Sequence, residues 1–462
     1  MMRSIKLMSS LGALWLLPAA HAQTIAFENV NIVPMDREHA IENQTAIIRD
    51  GRIAQIGPAN RVKAPEDAER INASGKYLMP GLAEMHGHLP SPDAPKSLVE
   101  HFLFLYIANG VTTVRGMQGN PVALQIREDV NAGKLPGPRL YVAGPPFGGN
   151  VRTPEMAEKM VREQKAAGYD LLKISEGMGP EAYDAVVRTA RELRIDFAGH
   201  VPNGVGVRRV IQARQRSIDH LDNYIEGLEP ETSPLRSSDA RVRARDLPFH
   251  VDEGKIGELV RLTRDAGVWN IPTMACWENF YSADDGEKLR SSIPEVRYMP
   301  RSAVDNWVKG KNSLLRPDGG PFLGFLVGGK TGPRVMDLRR KILRALHEVG
   351  AKIALGTDSP QIFSVPGFSI HREMSLMAQC GMKPFDVLRT GTRNVAEYFG
   401  TLEETGTVEQ GKRADLILLE ANPLEDVANV RRRAGVVVNG RWMAESEIQK
   451  RLSELAAAAE KM

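Results

Sequence analysis

Four histidines, one aspartate and one lysine stand at or near the ends of short apolar segments: His86, His88, Lys173, His200, His220 and Asp358. Imidazole nitrogens and carboxylate oxygens are ligands that suit zinc, with manganese or cobalt as alternatives. His86 and His88 are two residues apart, so on a strand both rings point to one face and can share an ion. Such a pair arises by chance in many chains. The prediction of a metal site therefore depends on whether the other residues come to the same place.

Lys173 lies in the apolar segment Leu171-Leu172-Lys173-Ile174. A buried ammonium is costly unless it gains a partner or changes its charge state. A neutral amine can react with carbon dioxide to form a carbamate, an oxygen ligand able to bridge two metal ions. The alternative is a lysine whose amine reaches solvent at the rim of the fold. Composition does not separate these two interpretations.

The middle of the chain supplies the elements that must position these residues. Apolar segments alternate there with amphipathic helical patterns, which is typical of βα units and a parallel sheet. Strands are predicted at residues 82–86, 111–115, 139–143, 170–174, 195–200, 217–220, 268–274 and 352–357. Eight such units predict an α/β fold with a (β/α)8 TIM barrel over residues 79–404. The C-terminal ends of all strands in such a barrel open on one mouth, where the six side chains would converge.

One long insertion follows the seventh predicted strand, from residue 275 to about 333. It is rich in aromatic residues, namely Trp277, Phe280, Tyr281, Tyr298, Trp307, Phe322 and Phe325. Connections of this length are usually functional or disordered, and aromatic content argues against disorder. The insertion is predicted to form a lid or a pocket wall.

Both ends of the chain are rich in short strand patterns. Strands are predicted at residues 24–30, 45–49 and 52–57, and again at 406–419 and 434–442. Asp50-Gly51 and Asn439-Gly440 are hairpin turn sequences. Residues 23–78 and 405–443 are therefore predicted to form one small β-sandwich domain, with residues 444–462 as a closing helix.

The ordered set of motifs resembles the amidohydrolase superfamily over essentially the whole chain after residue 22. Besides the six residues above, the resemblance rests on Met79-Pro80-Gly81-Leu82, Gly110-Val111-Thr112-Thr113-Val114-Arg115, Gly356-Thr357-Asp358 and Gly411-Lys412-Arg413-Ala414-Asp415-Leu416. Gly199-His200-Val201-Pro202 and Ser217-Ile218-Asp219-His220-Leu221 are most similar to the imidazolonepropionase-related and prolidase-like hydrolases. Many dipeptide-cleaving relatives carry Gly-Gly-His-Gly after the third strand, whereas residues 144–150 contain no histidine. The resemblance therefore does not carry over a dipeptide specificity.

The resemblance implies a site with two divalent metal ions, expected to be zinc. His86, His88 and Asp358 would hold one ion, His200 and His220 the other, and carboxylated Lys173 would bridge them. Two cations that share a water make it acidic enough to supply a hydroxide nucleophile. Asp358 is then expected to move the proton to the leaving amine. Tyr224 either donates to the oxyanion or packs in the core.

These residues predict an enzyme that hydrolyses an amide or peptide bond in a small molecule such as a dipeptide or an N-acyl amino acid. Lactonase or phosphotriesterase-like activity at the same site is the alternative. A metal-bearing binding protein without catalysis is disfavoured because the proton carrier, Asp358, is present. Arg152 is either a binder of a substrate carboxylate or a surface residue, and the role of His371 beside the mouth is left open.

The first 22 residues have the three parts of a cleavable signal peptide. Arg3 and Lys6 precede an apolar stretch at residues 7–17, and Ala20-His21-Ala22 gives a cleavage site after Ala22. The stretch is too short for a membrane-spanning helix, which needs about 20 apolar residues. The protein is predicted to be periplasmic or secreted.

Charge and cysteine content exclude several other classes. The 60 basic and 57 acidic residues give a net charge of +3 without long runs of one sign. That balance indicates no nucleic-acid partner, and no later segment is apolar enough for a membrane. The expected partner is a small-molecule substrate, with a homo-oligomer left open. Cys276 and Cys380 form no C-x-x-C motif, so they are either one disulfide or two free thiols.

Overall fold

The computed structural model of the protein describes residues 24–316 and 330–462. The predicted signal peptide at residues 1–22, and Phe322 and Phe325 of the insertion, lie outside the described residues. Within the two described ranges, no helix has both the length and the apolarity needed to cross a bilayer.

The described residues form sixteen strands. In chain order they are β1 (Ile25–Ile32), β2 (Ile41–Arg49), β3 (Arg52–Pro58), β4 (Glu69–Asn72), β5 (Tyr77–Pro80), β6 (Leu82–Gly87), β7 (Val111–Gly116), β8 (Arg139–Val142), β9 (Leu171–Ile174), β10 (Asp196–Gly199), β11 (Ser217–Asp219), β12 (Trp269–Ile271), β13 (Lys352–Ile353), β14 (Leu416–Leu419), β15 (Arg433–Val438) and β16 (Arg441–Ala444).

The same residues form sixteen α-helices and five short 3-10 helices. The α-helices are α1 (Lys96–Ala108), α2 (Pro121–Asn131), α3 (Pro154–Ala167), α4 (Pro180–Leu193), α5 (Val207–Gln212), α6 (Tyr224–Gly227), α7 (Ala240–Asp246), α8 (Ile256–Ala266), α9 (Met274–Tyr281), α10 (Gly286–Ser292), α11 (Arg301–Leu314), α12 (Thr331–Glu348), α13 (Ser369–Gln379), α14 (Pro384–Thr390), α15 (Arg393–Phe399) and α16 (Glu445–Ala459). The 3-10 helices are Pro234–Ser237, Leu247–Phe249, Glu253–Lys255, Pro294–Tyr298 and Val427–Arg431.

The outer helices begin and end at ordinary capping residues. Helix α3 starts behind Thr153, whose side chain accepts a hydrogen bond from the Met156 N–H, and Pro154 occupies the first helical position. It ends at Gly168, which has a φ of 85° that L-residues disfavour. Asn120 and Pro121 start α2 in the same way. These local signals confirm the predicted alternation of strands with helices.

The eight strands predicted for the middle of the chain are all present, as β6 to β13. They form two parallel sheets, β6-β7-β8 and β13-β12-β11-β10-β9. Isolated parallel bridges lie between the sheets on both sides: Ala143 pairs with Leu171, and Gly87 pairs with Ser359. The fold is therefore α/β with parallel sheets, as expected, and hydrogen bonds link β8 to β9 and the end of β6 to the segment after β13.

Two of these strands are shorter than predicted, by four residues each. The segment at 352–357 is a strand only at Lys352–Ile353, because the Leu355 N–H donates to the Thr390 carbonyl and the Thr357 N–H to the Glu84 carboxylate (2.7 Å). The segment at 268–274 ends as a strand at Ile271, because Pro272 has no N–H to donate.

The strands from the two ends of the chain share one sheet. Its order is β16-β15-β14-β5-β1-β2-β3, and β14 pairs antiparallel with β5, which joins the C-terminal part to the N-terminal part. The expected β-sandwich is instead one branched sheet, because β1 uses the same edge for β4 along its first half and for β5 along its second half. Both predicted hairpin turns are confirmed, and a Cβ on Gly440 would lie only 2.6 Å from the Gly51 Cα, so the two turns pack closely.

The C-terminal pattern is confirmed only in part. Residues 406–415 form a loop rather than the start of the predicted strand, since Lys412 Nζ folds back to donate to Thr407 Oγ1 (2.6 Å) and Glu409 Oε1 (3.0 Å). The closing helix is present as α16, which buries Ile448 and Leu452 and packs on α1 and the 3-10 helix Pro294–Tyr298.

The insertion after β12 is helical in its described part. Lys311 of α11 is fully buried, and its Nζ donates to the backbone oxygens of Asn279, Phe280 and Ser282 at 2.7–2.8 Å. These carbonyls lie at the C-terminal end of α9, where a helix leaves acceptors without intrahelical partners. Lys311 therefore fixes α9, the first helix of the insertion, in place.

Candidate active site

The six predicted site residues are brought together at the ends of the parallel strands. The ring centroids of His86 and His220 are 4.4 Å apart, and those of His200 and His220 are 4.6 Å apart. His88 Nε2 lies 2.6 Å from Asp358 Oδ1, and Lys173 Nζ lies 3.2 Å from His86 Nε2. Residues from β6, β9 and the segments after β10, β11 and β13 thus form one cluster.

Asp219 orients His86 from behind. The His86 Nδ1 lies 2.7 Å from Asp219 Oδ2, and a proton donated there leaves the Nε2 lone pair directed into the cluster. Arg115 Nη2 donates to the same oxygen at 2.8 Å, and Ser217 Oγ donates to Oδ1 at 2.6 Å. Burial is the largest influence and raises the pKa of Asp219, but Arg115, Lys173, His220 and the Ser217 hydrogen bond together outweigh it, so the pKa is lowered. A charged, fully buried carboxylate therefore fixes the His86 tautomer.

Burial keeps the central imidazoles neutral. It holds the pKa of His86 and of His220 well below the ordinary histidine value, and the neighbouring basic groups act in the same direction. Neutral imidazole is the form that binds a metal ion. Burial also lowers the pKa of Lys173, whose Nζ makes no ion pair with any carboxylate of the described residues. The donor set fits divalent metal ions, with Lys173 buried among the ligands.

Two groups of ligand atoms are close enough to hold ions. One consists of His86, His220 and Asp358, and the other of Glu176, His200 and Asp222, with the ligand atoms of each within 4.8 Å of one another. The predicted grouping placed His220 with His200 instead. Both groupings stay predictions, because the His220 ring lies 4.4 Å from that of His86 and 4.6 Å from that of His200. Asp222 Oδ2 lies 2.7 Å from His200 Nδ1.

Glu84 connects the two backbone segments that carry His86 and Asp358. Its carboxylate accepts hydrogen bonds from the backbone N–H of His86 (2.9 Å) and of Thr357 (2.7 Å). Burial raises the pKa of this carboxyl to about 8. The backbone before His86 is thereby held against the backbone before Asp358.

The chain turns sharply just after several of these strands. His220, Asn223, Thr273 and Asp358 have φ values of 63°, 59°, 48° and 61°. Such left-handed conformations are uncommon for residues other than glycine and cost about 1–3 kcal/mol each. The surrounding hydrogen bonds hold them, among them His220 Nδ1 to Thr273 Oγ1 at 2.8 Å. The turns keep the side chains of His220 and Asp358 in the cluster.

Helix α9 of the insertion forms a wall of the site. The Trp277 ring lies 6.1 Å from the His220 ring and stacks on Tyr281 at 5.5 Å. Glu373 of α13 accepts from the N–H groups of Met274 (2.9 Å) and Ala275 (2.7 Å), which caps the start of α9. The prediction of a pocket wall thus has an aromatic surface to support it.

Both cysteines are free and buried, which decides between the two alternatives left by the sequence. Cys276 Sγ lies 3.9 Å from Asp358 Oδ2. Burial raises the pKa of Cys276 well above its ordinary value, so it is a neutral thiol beside the aspartate.

Three residues considered from the sequence lie elsewhere. The Tyr224 hydroxyl is buried and bonds to Asn270 Oδ1 (2.8 Å) and Thr263 Oγ1 (2.9 Å), so its predicted role at the oxyanion is wrong and the packing alternative holds. His371 Nε2 bonds to Asn109 Oδ1 at 3.1 Å, on the side of α13 that faces α1. Arg152 is an exposed surface residue.

Several known proteins are similar to this chain over most of its length. Residues 77–443 match the model of the Amidohydrolase family. The ochratoxinase of Aspergillus niger is 23% identical over 419 residues, which cover 86% of this chain and 81% of that protein. The imidazolonepropionase of Brucella suis biovar 1 is 22% identical over 428 residues, covering 85% and 91%. A crystal structure of a Xaa-Pro dipeptidase with methionine bound in its active site superposes with a TM-score of 0.67 at 19% identity, covering 91% of this chain and 100% of that one.

Proposed function

Because this chain belongs to the amidohydrolase family, we propose that it is an exported hydrolase that cleaves the amide or peptide bond of a dipeptide or an N-acyl amino acid. Members of this family are metal-binding hydrolases of small molecules. The ochratoxinase, imidazolonepropionase and dipeptidase relatives give the reaction class.

One observation carries the proposal: four histidines, a lysine and an aspartate from the ends of five parallel strands meet within a single cluster. His86 and His220 are neutral and buried, while His88 and Asp358 are partly open to solvent. The Asp358 carboxylate lies 3.6 Å from His86 Nε2 and 4.0 Å from His220 Nδ1, so two neutral imidazoles and one carboxylate are grouped as ligands for an ion.

We infer that the cluster holds two divalent ions, with zinc as the expected metal. The two groups defined by Asp358 and by Asp222 would each supply ligands to one ion, with His220 between them. Lys173 is buried 3.2 Å from His86 Nε2 without an ion pair to a described carboxylate, which suits a carbamate bridge. When bound, such ions acidify a water and polarise the scissile carbonyl.

The remaining steps belong to residues of the chain. Asp358 is expected to accept a proton from the attacking water and to deliver it to the leaving nitrogen, since its carboxylate lies at the open side of the cluster. His88 Nε2 lies 2.6 Å from that carboxylate, so both would supply ligands to the same ion, and Gln118 Oε1, which accepts from Nδ1 at 2.9 Å, orients the His88 ring. The wall formed by Trp277 limits the access of bulk water.

We also infer that β6 to β13 close into one (β/α)8 barrel over residues 79–404. The parallel bridges Ala143–Leu171 and Gly87–Ser359 support closure at the two junctions between the sheets. Residues 23–78 and 405–443 would then form the small domain beside it.

The test is amine release by the exported protein, loaded with zinc, from a panel of dipeptides and N-acyl amino acids, with lactones and phosphotriesters assayed in parallel. The proposal expects turnover of the amides to exceed that of the other two classes. Turnover of a lactone or a phosphotriester alone would agree with a hydrolytic metal site but would overturn the assignment to amide bonds.

Export has its own test. The sequence of the N-terminus of protein recovered from the periplasm or medium should start at Gln23. Recovery of a chain that still starts at Met1, in the cytoplasmic fraction only, would contradict export.

A further inference from the structure

Arg339 is a buried cation at the edge of the candidate site. It belongs to α12, is only 5% exposed, and reaches the ends of two parallel strands. Its Nη2 donates to the backbone oxygen of His220 and lies 3.5 Å from that of Pro272. Its guanidinium carbon lies 4.8 Å from the centre of the Trp277 ring. Arg339 thus contacts both the residue at the centre of the cluster and the aromatic wall.

The charge of Arg339 has no anionic partner among the described residues. No carboxylate forms an ion pair with it, and its Nε is buried without a hydrogen-bond partner. The carboxylates whose fields reach it are Asp222, which bonds to His200, Glu373, which caps the start of α9, and Glu226, which is exposed. The adjacent Arg340 differs, since it pairs with Glu278.

A buried cation without an anion destabilises the folded protein, and protein chains usually pair such groups. Burial lowers the pKa of Arg339, because removal from water disfavours its charged form. The guanidinium nevertheless stays protonated. An anion that binds beside the cluster would remove this cost. A planar guanidinium with free N–H groups is suited to a carboxylate.

We propose that Arg339 binds the free carboxylate on the amine side of the substrate while the scissile amide lies at the histidine cluster. This inference rests on the proposed function and narrows its substrate class. His220 contributes its ring to the cluster and its backbone oxygen to Arg339, so the two binding points meet at the same residue. Trp277 stacks on Tyr281 and lies against the guanidinium of Arg339. Substrates with a free carboxylate are selected over their carboxamides.

The experiment compares the preferred N-acyl amino acid with its carboxamide in the wild type, Arg339→Met and Arg339→Lys. Arg340→Met is the matched control, because it removes the same charge one residue away. The wild type is expected to prefer the acid by about 10²-fold in kcat/KM, the value typical of a desolvated charged pair. Arg339→Met should lose this preference mainly through KM, Arg339→Lys should keep part of it, and Arg340→Met should keep it in full.

A binding measurement separates this inference from the proposed function. Calorimetry with N-acetyl-L-leucine and N-acetyl-L-leucinamide tests Arg339 even if neither compound is hydrolysed, and Arg339→Lys serves if Arg339→Met fails to fold. Tighter binding of the acid, lost on substitution, supports the inference. Equal binding of acid and amide by the wild type would overturn the inference. Equal losses of affinity for both compounds in the Arg339 variants would also overturn it, because they would show that Arg339 only holds the backbone of His220 in place.

Discussion

Substitution of Asp219 by asparagine tests the network that fixes His86. Asp219 and Arg115 are both fully buried, and the carboxylate accepts hydrogen bonds from Arg115 (2.8 Å), His86 (2.7 Å) and Ser217 (2.6 Å). The carboxamide of the variant would keep the volume but leave the guanidinium without its anion. Removal of one partner of a buried ion pair costs about 3–5 kcal/mol. Loss of a carboxylate behind a ligating histidine weakens metal affinity by about 10- to 100-fold.

Two assays separate these effects. Urea unfolding of the metal-free protein gives the loss of stability, and zinc titration against a chelator gives the loss of affinity. Asp170→Asn is the matched control, because Asp170 also pairs with an arginine, Arg127 at 2.8 Å, but is about a third exposed. Its loss of stability should be near 1 kcal/mol, with zinc affinity unchanged. If Asp219→Asn matched the control in both assays, the reasoning about His86 would be refuted.

Three further predictions concern separate residues. Lys173→Ala should lose hydrolytic activity and one or both metal ions, and small carboxylic acids should restore part of the activity. A metal content by mass spectrometry equal to that of the wild type would rule out the bridging role. Tyr224→Phe should lower stability by about 1 kcal/mol through lost bonds to Asn270 and Thr263, yet leave kcat within about twofold. Glu373 has a pKa raised to about 7, so the folded protein holds a proton there that the unfolded chain has released between pH 4.5 and 7. The contribution of Glu373 to the free energy of unfolding should therefore be greatest below pH 4.5 and fall by up to about 3 kcal/mol as the pH rises to 7. Urea unfolding of the wild type and of Glu373→Gln should show this as a difference in stability that changes with pH. A difference that stays constant with pH would show that the pKa of Glu373 is not raised.

The strands and the six site residues were predictable because local patterns encode them. Each parallel strand is a short apolar segment, and His200, His220 and Asp358 follow such segments directly. Once the strands are aligned in parallel, their shared direction brings these side chains to one end. The length of β13 was not predictable in the same way, because it depends on a hydrogen bond from Thr357 to Glu84, which lies 273 residues away in the chain.

The supporting residues were harder to find. Glu84 and Asp219 lie within two residues of a predicted ligand, and that proximity of a carboxylate to a histidine was the available signal. Their roles depend on contacts across the fold, such as Asp219 with Arg115, which no local pattern encodes. Tyr224 shows the converse, since its position four residues after His220 favoured the site while its side chain turned into the core.

Arg339 had no signal in the sequence. It lies in an amphipathic helix rich in basic residues, whose other three arginines are at least partly open to solvent. Only the contacts with His220 and Trp277 distinguish it from Arg340.

The most direct test of the central claim is the rate of amide hydrolysis by Asp358→Asn at a metal content matched to that of the wild type. The carboxamide keeps the size of the side chain but cannot accept the proton of the attacking water. We expect two zinc ions per chain in the wild type and a fall in kcat of at least about 10²-fold in the variant at equal zinc content. A variant that retains both zinc and the wild-type rate would contradict the role of this cluster in hydrolysis.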